Sequence, residues 1–221
     1  AVANEVERMD LGYPGGSQDS YGAARGGLNL LEYHPGGGMT PRAIEVAEAT
    51  VRRLEEDSLL VFTGAAHVSG SIHDDIRRSY HEDGSKTLEA MFTLRDEAER
   101  MTRALETGAL DGYARALGAS CRALYDLHES CDSTEHRRVF KELGELALAG
   151  KTCGAGGGGF LLLYARPGCR QECLARVAAL GAEAWPFEFD FDGVKSSEEG
   201  AWSEAEVEEY HRLIEGGEAQ G

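Results

Sequence analysis

No hydrophobic run in this chain approaches the ~18–20 residues a bilayer-crossing helix needs. No charged-then-apolar leader opens it either. These absences predict a cytoplasmic protein with no membrane partner. Positive charge is scarce: 22 Lys and Arg stand against 39 Asp and Glu, a net charge of −17. So acidic a surface repels nucleic acid, which is not expected as a partner. It does not exclude a phosphorylated ligand, provided that local amides, lysines, arginines or a metal receive it. Cysteine is sparse and odd in number. Cys121, Cys131, Cys153, Cys169 and Cys173 fit no common zinc spacing. All five are expected to be reduced thiols, Cys169 and Cys173 included although they stand one helical turn apart. No metal site is expected from side-chain spacing, and no internal repeat is visible.

Glycine is plentiful, with 29 among 221 residues. Its densest run is Cys153-Gly154-Ala155-Gly156-Gly157-Gly158-Gly159, which passes directly into Phe160-Leu161-Leu162-Leu163-Tyr164. Such a run is costly in backbone entropy. A flexible linker does not usually dock straight onto a buried strand. A structured turn is therefore predicted, either because backbones cross closely or because an anion lies against the amides.

The hydrophobic content of 42% supports a globular body of one or two domains. Ala1 to Met9 read as the end of a helix, and Leu11 to Gly16 as a turn. Residues 17–24 form a short helix capped by Ser17 and ended by Gly26-Gly27. Leu28 to Tyr33 are a strand, and His34 to Gly38 a turn. Residues 43–56 show helical spacing, and Leu59 to Thr63 a buried strand closed by Gly64. Helices follow at His67–Ser79 and Gly84–Thr107. The second carries a stripe of Leu88, Met91, Arg95, Ala98, Met101 and Leu105, is capped by Ser85 and is ended by Gly108. Two more helices cover Asp111–Glu129 and Thr134–Ala149, with Gly150 as the stop. Strand Phe160–Ala165, a Pro167-Gly168 turn and helix Cys169–Leu180 come next. Trp185, Phe187, Phe189 and Phe191 alternate as a strand with one aromatic face. Ser203 and Glu206 suggest a capping box. Few strands with helices grouped between them predict an α+β layer, a small sheet covered on one face.

Three segments in this order resemble the motifs of one family. Ser17-Gln18-Asp19-Ser20-Tyr21-Gly22-Ala23-Ala24-Arg25-Gly26-Gly27-Leu28-Asn29 resembles the segment carrying the catalytic Asp in the galactokinase, homoserine kinase, mevalonate kinase and phosphomevalonate kinase (GHMP) superfamily. Within it the match is nearest to bacterial sugar kinases of the heptose 7-phosphate kinase kind. Leu60-Val61-Phe62-Thr63-Gly64 resembles the family's strand ending in Thr-Gly. Lys151-Thr152-Cys153-Gly154-Ala155-Gly156-Gly157-Gly158-Gly159-Phe160 resembles its glycine-rich third motif. The resemblance implies ATP as donor, Mg²⁺ as metal, and a sugar or sugar phosphate as acceptor. Residues 1–40 would end an N-terminal, ribosomal protein S5-like domain. Residues 41–215 would form a ferredoxin-like C-terminal domain, and 216–221 a frayed tail. The family's Ser- and Gly-rich phosphate loop belongs upstream of Asp19 and is not among these residues, nor is the N-terminal sheet with most metal ligands. The chain thus corresponds to the last two thirds of such an enzyme, expected to be inactive unless a second polypeptide supplies the rest. The family usually places Arg after Thr-Gly and two intervening residues; His67 stands there.

On this reading Asp19 is the catalytic carboxylate, ionised at neutral pH and able to hold or deprotonate a hydroxyl. The alternative is a first-turn residue satisfying free helix amides. Gly154, Ala155, Gly156, Gly157, Gly158, Gly159 and Lys151 are the nucleotide or phosphate candidates. A solvated cation in the last turn of a helix is the plainer account of Lys151. Gln18, Tyr21, Arg25, Gly27, Thr63 and His67 are the substrate candidates. His34, His73, Asp74 and Asp75 read as surface. The reading is a phosphotransferase acting on a sugar hydroxyl; the rival is a non-catalytic binding module on the same scaffold.

Overall fold

The computed structural model describes residues 16–64 and 69–194, with 69–71 and 83 described by backbone alone. The expected helix at Ala1–Met9, most of the turn after it, His67, the Ser203–Glu206 box and the tail from Gly216 lie outside the described residues.

Helix α1 spans Gln18–Arg25. Ser17 stands at its N-cap position, but its hydroxyl caps nothing and meets the Tyr33 hydroxyl at 3.1 Å instead. Strands β1 (Asn29–Tyr33) and β2 (Met39–Ala43) form an antiparallel hairpin. Gly36, Gly37 and Gly38 turn it with φ of 85°, 95° and 96°, a region closed to most side chains. Helix α2 covers Glu48–Asp57, a shorter helix than 43–56, because Met39–Ala43 pair with β1.

A second sheet contains β3 (Ser58–Phe62), β4 (Ala147–Thr152), β5 (Phe160–Ala165) and β6 (Glu183–Trp185). Its order is β4-β5-β3-β6 and every pairing is antiparallel. The other α-helices among the described residues are α3 (Ser69–Thr107), α4 (Leu110–Leu127), α5 (Thr134–Leu143) and α6 (Arg170–Ala179). The period-2 alternation of strands splits the sheet's residues between two faces. Leu59, Val61, Leu161, Leu163 and Ala165 pack on Val139 and Leu143 of α5 and Cys173 and Val177 of α6. Leu162 and Tyr164 face Ala104, Leu105, Tyr113 and Leu117 of α3 and α4. The architecture is α+β, but the sheet is covered on both faces, not one. The near-continuous apolar runs of β3 and β5 reflect that two-sided burial.

Three further expectations fail for identifiable reasons. The helices expected at 67–79 and 84–107 are one helix of 39 residues, with Gly84 and Ser85 inside it. An interior glycine costs about 1 kcal/mol. Burial of Ile72 and Ala90, on either side of it, in one cluster with Leu124, Leu127 and Cys131 outweighs that. The helix expected to reach Ala149 stops at Leu143, where Gly144 takes φ 50°. Gly150 is then a mid-strand residue, not a helix stop. A Cβ there would lie 2.7 Å from the Phe140 ring and 2.9 Å from the Leu162 carbonyl. Of the expected aromatic strand only Ala184 and Trp185 pair with β3, opposite Val61 and Leu60, and Phe187, Phe189 and Phe191 lie beyond the ladder. Phe189 packs on the α3–α4 side of the core, and Phe191 lies against Gly27. No helix among the described residues is long and apolar enough to cross a membrane.

Candidate functional site

The glycine run is a closed loop between two paired strands. Its neck is shut by the Cys153 amide donating to the Phe160 carbonyl at 2.9 Å. Gly154, Gly156, Gly157, Gly158 and Gly159 all take positive φ, from 70° to 148°. Close approach explains one position directly: a Cβ on Gly156 would fall within 2.8 Å of the Cys131 Cα and nearer still to its carbonyl oxygen. The Gly157 amide donates to that same carbonyl at 2.9 Å. Ala155 packs on the cluster of Ile72, Leu124 and Leu127. Gly157 and Gly158 are buried, whereas Gly154 is exposed and Ala155 and Gly156 are half-buried. No described carbonyl accepts from the amides of Gly154, Ala155 or Gly156.

Lys151 precedes the loop on β4, so it is not the solvated end of a helix. It lines a cavity of about 650 Å³ with Cys153, Leu60, Leu94, Met101 and Phe187 among others. Its ammonium donates to the Thr152 carbonyl at 3.1 Å. No carboxylate among the described residues pairs with it. Burial pulls its pKa below the ordinary lysine value, with the nearby Cys153 and Cys121 thiols opposing. Cys153 is solvent-accessible yet set in this recess. Surrounding protein raises its thiol pKa, Lys151 lowers it, and the Asp19 carboxylate raises it further.

That last influence places Asp19 within electrostatic reach of the loop's first residue. Asp19 lies in the first turn of α1 and is exposed. Its carboxylate accepts no hydrogen bond from the helix amides or from any other described residue, so a capping role is not what occupies it. Gln18 is exposed and Tyr21 half-buried on the same helix. Arg25 turns away to Asn29 Oδ1, at 3.3 Å. Gly26 and Gly27 serve a chain crossing: a Cβ on Gly26 would lie 2.5 Å from the Gly193 amide nitrogen, and the Gly27 amide donates to the Asp190 carbonyl. Thr63 donates to the Gly159 carbonyl through both its amide and its hydroxyl, each at 3.3 Å. Thr63 thereby ties the end of β3 to the loop.

Two features here carried no functional signal in sequence. His136 is fully buried behind the loop and meets Thr152 Oγ1 at 2.9 Å; only the fold brings it there. Phe62, Phe160 and Trp185 form a row of rings beside the loop neck. Their centroids are 4.9 Å apart for the first pair and 6.3 Å for the second, and Phe160 and Trp185 are about two fifths exposed. Alternation did flag Trp185 as part of an aromatic face. No three His, Cys, Asp or Glu side chains converge as a metal site among the described residues.

Known proteins resemble this chain in sequence and fold. No family model matches the chain. It is 30% identical over 196 residues to D-glycero-alpha-D-manno-heptose 7-phosphate kinase of Campylobacter jejuni, covering 88% of this chain and 57% of that protein. It is 25% identical over 154 residues to L-fucokinase/L-fucose-1-P guanylyltransferase of Bacteroides fragilis, covering 69% of this chain and 16% of that protein. The chain thus spans little more than half of the first relative and a small part of the second. The crystal structure of a D-glycero-D-manno-heptose 1-phosphate kinase from Bacteroides thetaiotaomicron superposes with a TM-score of 0.63 at 27% identity, over 89% of this chain and 54% of that one. L. major mevalonate kinase in complex with R-mevalonate matches with a TM-score of 0.67 at 17% identity, over 85% and 56%, which is a likeness of fold alone. With the three ordered motifs and the α+β fold, these likenesses make the chain similar to kinases of the GHMP superfamily over little more than half of their length.

Proposed function

We propose that this chain is the C-terminal portion of an ATP-dependent kinase that phosphorylates a hydroxyl of a sugar or sugar phosphate. One observation carries the reading. Lys151, whose ammonium has no carboxylate partner among the described residues, shares a recess with Cys153, which opens a loop whose Gly154, Ala155 and Gly156 amides have no described acceptor, and the charge of Asp19 reaches that same Cys153. A desolvated cation left without a counter-charge is costly in a structural role, and is relieved when an anion arrives. In this reading residues 1–40 close the N-terminal, S5-like domain and 41–215 form the ferredoxin-like C-terminal domain.

ATP supplies the γ-phosphoryl group. The amides of Gly154, Ala155 and Gly156 and the Lys151 ammonium hold phosphate oxygens, as bare backbone and a cation do elsewhere. Gly157, Gly158 and Gly159 shape the loop. Asp19 accepts a hydrogen bond from the acceptor hydroxyl and takes its proton as the new O–P bond forms and ADP leaves. Gln18 and Tyr21 flank it on the acceptor side. The Phe160 and Trp185 rings offer apolar faces to the C–H side of a sugar ring. Arg25, Gly27 and Thr63 brace the site rather than touch the acceptor. The described residues do not form a Mg²⁺ ligand set, so no step is assigned to the metal. The 30% identity to a heptose 7-phosphate kinase supports a sugar phosphate as acceptor.

The test is Asp19→Asn in the full-length protein, assayed for ADP release with hexoses, heptoses and their monophosphates. Turnover should fall by about 100-fold or more while ATP binding stays within a few fold. Near-normal turnover would remove Asp19 from the chemistry.

A further inference from the structure

We infer that His136 is a positioning residue for the transfer reaction, clamping both stalks of the glycine loop at once. Its use rests on the kinase reading above; its geometry rests on the fold alone. His136 sits in the first turn of α5 with none of its surface exposed. One ring nitrogen, Nδ1, is 2.9 Å from Thr152 Oγ1, on the strand that enters the loop. The other, Nε2, is 3.5 Å from the carbonyl of Gly159, the last residue of the loop before β5. Thr152 is itself fully buried, and its hydroxyl also meets the Tyr125 hydroxyl at 2.9 Å.

The donors and acceptors can be ordered. A carbonyl only accepts, so Nε2 carries the ring hydrogen and Nδ1 is the acceptor. The Thr152 hydroxyl therefore donates to Nδ1, and its oxygen accepts from Tyr125. The chain runs one way, from Tyr125 through Thr152 and His136 to Gly159. This order needs a neutral ring, and burial favours one by pulling the His136 pKa down against the Gly159 carbonyl and the charges of Asp132 and Glu135. Thr63 reaches the same Gly159 carbonyl from β3. A leucine would fill the space between the stalks. It would not hold Thr152 and Gly159 at a set separation, and that separation sets where the free amides of Gly154 to Gly156 point.

The experiment compares His136→Leu, Thr152→Val and their combination with the full-length protein, and adds His136→Asn. Hydrogen exchange at the amides of 154–159 reads the clamp itself; steady-state kinetics read its use. Each single change should speed loop exchange about 10-fold and raise the KM for ATP about 10-fold, with the acceptor KM unchanged. The double variant should be little worse than either single, because one chain is broken in each. His136→Asn restores an acceptor for Thr152 and should recover part of the loss. Unchanged loop exchange and ATP KM in folded Thr152→Val would overturn the inference. So would a loss of active enzyme that left both KM values as they were, which is what plain core packing predicts. Exchange that responds in a protein that never turns over ATP would overturn the kinase reading and leave the clamp standing.

Discussion

Replacing Lys151 with methionine should stabilise the fold and weaken nucleotide binding together. The lysine stem lies along a cavity whose lining is mostly leucine, methionine, tyrosine and phenylalanine. Methionine keeps that stem's length and removes the charge. The lost hydrogen bond to the Thr152 carbonyl costs ~1 kcal/mol. Removing a desolvated charge in favour of an apolar group of like volume gains ~1–4 kcal/mol. Lys151 is only half-buried, so the lower part of that range applies. A net gain of about 1 kcal/mol would raise Tm by roughly 2–4 °C for a protein of this size. Against ATP, one charge-assisted hydrogen bond is worth ~1.5–3 kcal/mol, so Kd should weaken about 10- to 100-fold.

The pH dependence gives a second check on the same variant. The folded-state pKa of Lys151 lies below its ordinary 10.5. Between the two values the unfolded chain holds the proton that the folded chain has released, so the wild-type stability rises with pH through that window. The penalty is fully present below it and gone above it. The Tm advantage of Lys151→Met should therefore be largest near neutrality and shrink as pH approaches 10.5. Differential scanning calorimetry across pH and isothermal titration with ATP measure both halves. A variant that melts several degrees lower and binds ATP as before would show that the ammonium holds the strand, not a phosphate.

Gly156→Ala forces a Cβ against the Cys131 backbone at φ 106° and displaces the Gly157 amide from its 2.9 Å bond. Strain and lost bond together cost about 2–3 kcal/mol, so ATP affinity should fall about 30-fold or more with circular dichroism unchanged; an unaltered affinity would mean that the loop's shape is irrelevant. Cys153 should be the thiol alkylated first by iodoacetamide, since Cys121, Cys131 and Cys173 are buried and Cys169 is partly so. Its raised pKa means the rate should still be climbing at pH 9, and ATP should protect it. Labelling that ATP does not slow would separate the loop from the nucleotide.

The legible parts of this protein are those where local chemistry and tertiary contact agree. Strands Ser58–Phe62 and Phe160–Ala165 are apolar runs bounded by glycine, and each is a central strand. The α1 segment was bounded to within a residue by Ser17 and Gly26, although Ser17's hydroxyl went to Tyr33. The reading failed where a glycine's meaning depends on a distant partner. Gly84 and Ser85 read as the start of a second helix after Ser79, but packing on α4 carries one helix through both. Gly150 was read as a helix stop, but it is small because Phe140 and the Leu162 carbonyl press on it.

That second error had a chemical consequence. A helix running to Ala149 leaves Lys151 at the helix's end, where a solvated cation is the natural account. A strand from Ala147 to Thr152 instead gives every second residue to each face. Thr152 then points toward His136, and Lys151 toward the recess it lines with Cys153, a thiol that the Asp19 charge reaches. One reassignment of secondary structure thus turns an ordinary surface lysine into a recessed charge without a carboxylate partner among the described residues. It also places a buried histidine behind the loop that this charge precedes. Sequence patterning located the glycine loop because it is written in consecutive residues. The cation's setting and the clamp required strand register, which only the pairing of Lys151 with Leu162 and Thr152 with Leu161 supplies.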